Sequence, residues 1–147
     1  RGYNLGHDIA YSGTVGAINE GGRLGIPAIA LSTSFENYPR ATEELDRIWD
    51  FFQTNRLMEV NDLYNVNIPA EYTESIRITR QGGAYYSDEF VTTGENMVRQ
   101  TGRMVWRDAK NFDLDCDAVM HGYISIMPLT MERTDLSVLS RLNGQEA

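Results

Sequence analysis

The sequence predicts an α/β fold that passes into a strand-rich extension, and three patterns carry that reading. A hydroxyl, glycine, hydroxyl triplet at Ser12, Gly13 and Thr14 precedes a short helix that runs into the apolar stretch Ile26 to Ser32. Loop, helix and buried parallel strand in that order make half of a βαβ unit. Next comes an amphipathic stripe, Leu45, Ile48, Trp49 and Phe52, at helical spacing. From Ser75 onward the pattern shifts to alternation broken by turn residues, the mark of strands and a hairpin.

Residues 1–11, RGYNLGHDIAY, read as a loop, since Gly2, Asn4 and Gly6 supply the backbone angles loops need. Val15 to Leu24 reads as a helix capped by Ser12 or Thr14. Gly16, Gly21 and Gly22 each weaken it by about 1 kcal/mol relative to alanine. They make sense if its face presses closely on a sheet. Ser34 to Arg40 is a polar connection, and a helix is expected from Ala41 to about Met58. Leu63 to Pro69 sets Tyr64, Val66 and Ile68 against Asn65 and Asn67, a strand stopped by proline.

Further along, Ser75 to Gln81 alternates like a strand with one wet face. AYYSDEFV and GRMVWRD flank the turn region TTGEN and suggest a long hairpin. Gly122 to Leu129 is another strand. The terminal helix is capped by Thr134 or Asp135, lined by Leu136, Leu139 and Leu142, and ended by Gly144.

The 147 residues make one domain or part of one, and 41% hydrophobic with 23% charged residues is ordinary for a soluble protein. No apolar run is long enough to span a membrane. A net charge of −8 argues against a nucleic-acid polymer as partner, because phosphate backbones are held by Lys and Arg clusters. A small phosphate ester is not excluded, since a pocket of backbone amides binds it whatever the net charge. Cys116 is the only cysteine, so no internal disulfide can form, as in a reducing compartment, and it reads as a small buried hydrophobe. His7 and His121 belong to no ligand cluster.

Ser12-Gly13-Thr14 ahead of a helix is a candidate anion cradle. Free N–H groups at a helix start carry partial positive charge, hydroxyls add directed donors, and glycine lets a ligand approach the main chain. The triplet is also common as a simple cap. It is neither a Walker loop nor a dinucleotide fingerprint. Asp113, Asp115 and Asp117 fail the calcium-loop spacing, with Ala118 and Ile124 where a glycine and a glutamate are needed, and read as a solvated acidic turn.

The stretch NLGHDIAYSGTVGA, then EGG and LGIPAIALS, then NVNIPA, IRITRQG and DAVMHGYISIMPLT, resembles the SurE family in the same order. These are the stationary-phase survival proteins that act as metal-dependent nucleoside monophosphate phosphatases, and the resemblance runs from about Asn4 to Thr130. It implies a Rossmann-like α/β core, partial here, with a β-hairpin and C-terminal helix reaching to a neighbouring subunit. Residues 1–82 would belong to the core and residues 83–147 to an oligomerisation extension, with a homodimer or homotetramer as the assembly. Tyr85, Tyr86, Met104 and Trp106 are the candidates for the intersubunit arm.

The resemblance further implies hydrolysis of nucleoside 5′- or 3′-monophosphates in the cytoplasm, an acid phosphatase or nucleotidase chemistry using one divalent cation, Mg²⁺ or Mn²⁺. Ser12, Gly13 and Thr14 would hold the phosphate, with Ser12 and Thr14 acting in catalysis, and Asn4 would border the site. The family's metal ligands, an adjacent aspartate pair, a serine and an asparagine, match no position here and are expected upstream of Arg1. Asp8 lies elsewhere in the motif. The 147 residues are therefore expected to be the C-terminal portion of a longer protein, inactive alone. Two other readings stand beside this one: a non-catalytic phosphate-ligand-binding or interaction module on the same fold, and an unrelated α/β enzyme sharing the phosphate loop.

Overall fold

The computed structural model of the chain describes residues 2–71 and 75–144. Arg1, which heads the expected loop, and residues 145–147, which end the expected extension, lie outside the described residues.

Helix α1 (Gly13–Arg23) is capped by Ser12, whose Oγ accepts the Val15 N–H at 3.1 Å. Thr14 is inside the helix and is not the cap. Strand β1 (Ala28–Thr33) follows two residues later than the apolar run begins, because Gly25 turns the chain at φ 71° and leaves Ile26 exposed. The next helical stretch is three pieces, α2 (Tyr38–Glu43), α3 (Leu45–Thr54) and α4 (Leu57–Val60), rather than one helix from Ala41 to Met58. Pro39 sits in the first turn of α2, where its missing N–H costs nothing. Asn55 Nδ2 donates to the Phe51 carbonyl at 2.8 Å, and Arg56 turns left-handed at φ 53°, which ends α3.

Strand β2 (Leu63–Ile68) runs parallel to β1, with Ala28 opposite Leu63 and Thr33 opposite Ile68. The α2–α4 segment is the crossover that closes this βαβ unit. Strand β3 (Ile76–Ile78) is shorter than the alternation suggests. Strands β4 (Glu89–Gly94) and β5 (Met97–Thr101) form a hairpin as a separate two-stranded sheet, turning at Asn96 with φ 61°. Its bounds differ from the expected ones: Thr92, Thr93 and Gly94 of the turn region belong to β4, and AYYSDEFV meets GRMVWRD through an isolated Tyr86–Met104 bridge and the amides of Ser87 and Val105. Helix α5 (Asp115–Met120), absent from the sequence reading, leads to β6 (Ile124–Pro128), and α6 (Leu136–Leu142) closes the order under an Asp135 cap.

The main sheet has the order β1-β2-β6-β3. Strand β6 is antiparallel to β2 and parallel to β3, so a strand expected in the extension is an inner strand of the sheet. One face buries Tyr64, Val66, Ile68, Ile124 and Ile126 against Ile48 and Phe52. Of the amphipathic stripe only those two helix residues are buried; Leu45 and Trp49 are exposed. The other face takes α1 over Ala30 and Leu63. A Cβ added to Gly22 would stand 2.7 Å from Leu63 Cδ1, so the close approach expected of a glycine-bearing helix holds there, whereas Gly16 faces open space. Next to α1, Leu5 packs with Cys116 and Val119.

Candidate functional site

Residues 6–11 are not a free loop: Gly6–Tyr11 is a 3-10 helix that delivers the chain directly to the Ser12 cap. Its first residue is fixed from both sides. Gly6 has φ 52°, and a Cβ there would lie 1.9 Å from the Gly83 carbonyl oxygen. Its N–H donates to Asp115 Oδ2 at 2.8 Å.

Asp115 and Asp117 correct the expectation of a solvated acidic turn, for both are buried while Asp113 is exposed. Asp115 Oδ1 accepts the amides of Gly82 at 2.7 Å and Cys116 at 2.8 Å. Asp117 Oδ1 accepts Trp106 Nε1–H at 2.8 Å, and its Oδ2 accepts the amides of Ala109 and Asn111. Backbone amides, with the Trp106 indole, thus compensate two carboxylates that burial would otherwise penalise. The signal available was their setting, since Asp115–Met120 is otherwise apolar.

A cavity of about 1220 Å³ opens at the start of α1, and Asn4, Ser12, Gly13 and Thr14 all line it. Every residue singled out in the sequence as a phosphate contact therefore meets in one place. Ser12 Oγ is an acceptor toward Val15, which leaves its own proton to donate outward. The Gly16 N–H is taken by the Ser12 carbonyl at 2.8 Å. That leaves the first two amides of α1, Gly13 and Thr14, at the cavity with no intrahelical carbonyl to bond. A Cβ on Gly13 would meet nothing within 4 Å, so the backbone there is open to a ligand.

Asn4 is held from beneath by the sheet. Its N–H donates to Asn67 Oδ1 at 2.8 Å, and its carbonyl accepts Nδ2–H from both Asn65 and Asn67 at 2.9 Å. Its own Nδ2 donates to Ser32 Oγ at 2.6 Å. The rest of the cavity wall is aromatic and acidic. Tyr11, Phe35, Tyr86 and Phe90 contribute rings, and Asp8 and Asp88 contribute carboxylates. Partial burial, followed by the neighbouring Asp88 charge, raises the Asp8 pKa, with His7 pulling the other way.

The remaining candidates stand apart. Burial, and then the adjacent Asp115, pushes the Cys116 thiol up, so this buried cysteine is no thiolate nucleophile at neutral pH. His7 is exposed, and His121 pairs through Nε2 with Asp108 Oδ2 at 3.0 Å; neither lines the cavity. Of the arm candidates, Tyr85 and Trp106 pack against Leu5, Cys116 and Val119 of their own chain, while Tyr86 and Met104 are exposed. Burial pushes the Tyr85 phenol up to about 12. Among the described residues no group of three His, Cys, Asp or Glu side chains is placed to hold a metal ion. Those residues do not by themselves fit the divalent cation that the resemblance implies. No helix among them is long and apolar enough to cross a membrane.

The family described as Survival protein SurE matches residues 1–88. The chain is 38% identical over 141 residues to the 5′/3′-nucleotidase SurE of Photorhabdus laumondii subsp. laumondii, covering 91% of this chain and 55% of that protein. It is 35% identical over 147 residues to the 5′-nucleotidase SurE of Syntrophotalea carbinolica, covering 92% and 57% respectively. Its fold is similar to the crystal structure of the SurE protein from Aquifex aeolicus, with a TM-score of 0.65 and 28% identity, over 97% of this chain and 61% of that one. The chain thus spans little more than half the length of the curated relatives it matches.

Proposed function

The chain belongs to the SurE family, and on that premise we propose that it forms the phosphate-holding part of a nucleotidase that hydrolyses nucleoside 5′- or 3′-monophosphates. The observation that supports this most is the cavity at the mouth of α1, lined by the first two residues of the helix, whose amides have no intrahelical carbonyl to bond, by two hydroxyl side chains, and by a glycine with open space over it.

The chemistry of these residues follows from their geometry. The Gly13 and Thr14 amides point the positive end of the α1 dipole at the cavity and bind non-bridging phosphoryl oxygens. Ser12, with its lone pair committed to Val15, donates its proton to one of those oxygens, and Thr14 adds a second hydroxyl. Charge accumulates on these oxygens as the ester bond breaks, and donors already in place stabilise it without reorganising. Asn4, anchored through its backbone to β2 and through its side chain to β1, borders the phosphate. The aromatic wall offers faces for a nucleoside base.

The proposal includes the divalent cation, Mg²⁺ or Mn²⁺, as a requirement of the intact protein, with ligands from outside the described residues. The 147 residues alone are accordingly expected to be inactive. It also includes a cytoplasmic location and a homodimer or homotetramer built through the extension, in which the hairpin and α6 carry exposed apolar side chains. Phe90, Met97 and Val98 on the hairpin and Leu136 and Leu142 on α6 are exposed, which is surface for a second copy to cover.

Kinetics of a Thr14→Ala variant of the full gene product test the reading. Hydrolysis of adenosine 5′-monophosphate should fall about 100-fold in kcat, the usual cost of removing one preorganised donor, with an unchanged melting temperature because Thr14 is exposed. Unchanged turnover would remove Thr14 from the site.

A further inference from the structure

Strand β2 lies between β1 and β6 and is buried along its whole length, a position that ordinarily calls for an unbroken apolar run. On its α3 side it has one, in Tyr64, Val66 and Ile68. On the other side it carries Asn65 and Asn67, each fully shielded from solvent. Asn65 stands in register with Ala30 on one neighbour and Met127 on the other, so its surroundings in the sheet do not ask for an amide. Its Oδ1 is buried and has no hydrogen-bond partner among the described residues. A buried amide with an unsatisfied oxygen costs stability. Yet the Nδ2 of the same side chain reaches Asn4, 61 positions earlier in the chain, and donates to its carbonyl.

Asn67 completes the grip. It accepts the Asn4 N–H through Oδ1 and donates to the Asn4 carbonyl through Nδ2, spanning both polar groups of that residue as a neighbouring strand would. Ser32, opposite Asn67 in the β1–β2 register, then takes the Asn4 side chain. The two buried asparagines thus tie β2 to the residue that shares the cavity wall with Ser12, Gly13 and Thr14.

We propose that Asn65 and Asn67 are positioning residues of the phosphate site: they fix the Asn4 backbone against the strand ends, and the stability sacrificed at Asn65 is the cost of that placement. This inference rests on the phosphate-cradle reading of the cavity. It goes further by assigning a role in ligand binding to side chains that touch no ligand.

The two roles open to Asn65 give opposite results on Asn65→Leu, which removes the orphaned oxygen and keeps the volume. Three readouts are taken on the full gene product: melting temperature, affinity for inorganic phosphate by calorimetric titration, and the same affinity in Thr14→Ala. The expected result is a melting temperature equal to or above that of the parent, together with a loss of phosphate affinity of about tenfold, the scale on which supporting residues act through those they orient. If N65L melts well below the parent and binds phosphate as the parent does, Asn65 is structural only and the inference fails. If T14A weakens binding but N65L does not, the cradle stands and the positioning role falls. Should the parent bind no phosphate, the cradle falls and takes this inference with it. If leucine does not fold at this position, Asn65→Ala is read by phosphate affinity alone, because the cavity it leaves lowers the melting temperature in either role: a loss of about tenfold supports the inference and parental affinity overturns it.

Discussion

Gly6 and Asp115 meet across 109 positions of sequence: the Gly6 N–H donates to Asp115 Oδ2 at 2.8 Å, and a Cβ on Gly6 would run into the Gly83 carbonyl oxygen. This contact locks the start of the 3-10 helix, and with it the approach to Ser12, onto α5. The site is therefore supported by a buried carboxylate lying outside it.

Asp115→Ala would leave the Gly6, Gly82 and Cys116 amides unpaired in the interior. At roughly 1–3 kcal/mol for each buried unsatisfied group, a loss of at least about 3 kcal/mol is expected in chemical denaturation. A loss under about 1 kcal/mol would show that the three amides find other partners.

Gly6→Ala is expected to be severe for two reasons that add: a left-handed φ of 52° and a Cβ position 1.9 Å from a backbone oxygen. Backbone oxygen cannot move aside as a flexible side chain can. Destabilisation of about 3 kcal/mol or more, measured by urea denaturation, is the expected outcome. Gly16→Ala, on the same stretch but facing open space, should instead stabilise α1 by up to about 1 kcal/mol.

Asp8 supplies a pH dependence. Its pKa in the fold is raised, so the folded chain binds this proton more tightly than the unfolded chain does. Stability from this group is therefore present below the ordinary value of 3.8 and is lost as pH rises through the raised value. Asp8→Asn removes the penalty, so the variant should melt above the parent at pH 7 and level with it below pH 3.8. A variant that melts below the parent at pH 7 would mean that the carboxylate is stabilised rather than penalised.

The exposed apolar residues of the hairpin bear on assembly. Light scattering of the full gene product should give a dimer or tetramer mass, and Phe90→Glu with Val98→Glu should lower it, because each adds a charge to surface that a second copy would bury. A monomer mass for the parent would remove the intersubunit role of the hairpin.

What the sequence revealed and what it concealed divide by range. The Ser12 cap, α1, β1, β2 and the hairpin rest on spacing within a few residues, and periodicity or turn chemistry reports such local rules directly. The residues proposed to hold phosphate, Ser12, Gly13 and Thr14, were legible for the same reason, being contiguous. Asp115, Asp117, Asn65 and Asn67 were not, since each polar side chain is buried because of donors or acceptors that the fold brings from elsewhere. Asp115 finds Gly6, and Asn65 finds Asn4, only once the sheet has formed. Charge and polarity read along the chain place such residues at the surface. The break at Arg56 was hidden differently, because the apolar pattern continues across a left-handed residue that periodicity does not register.

The claim beneath all of this is that the mouth of α1 receives a phosphoryl group. A structure of the full gene product with adenosine 5′-monophosphate or inorganic phosphate bound tests it directly. The expected result is a phosphate oxygen within hydrogen-bonding distance of the Gly13 and Thr14 amides and the Ser12 hydroxyl. A phosphate bound elsewhere, with those groups facing only solvent, would contradict it.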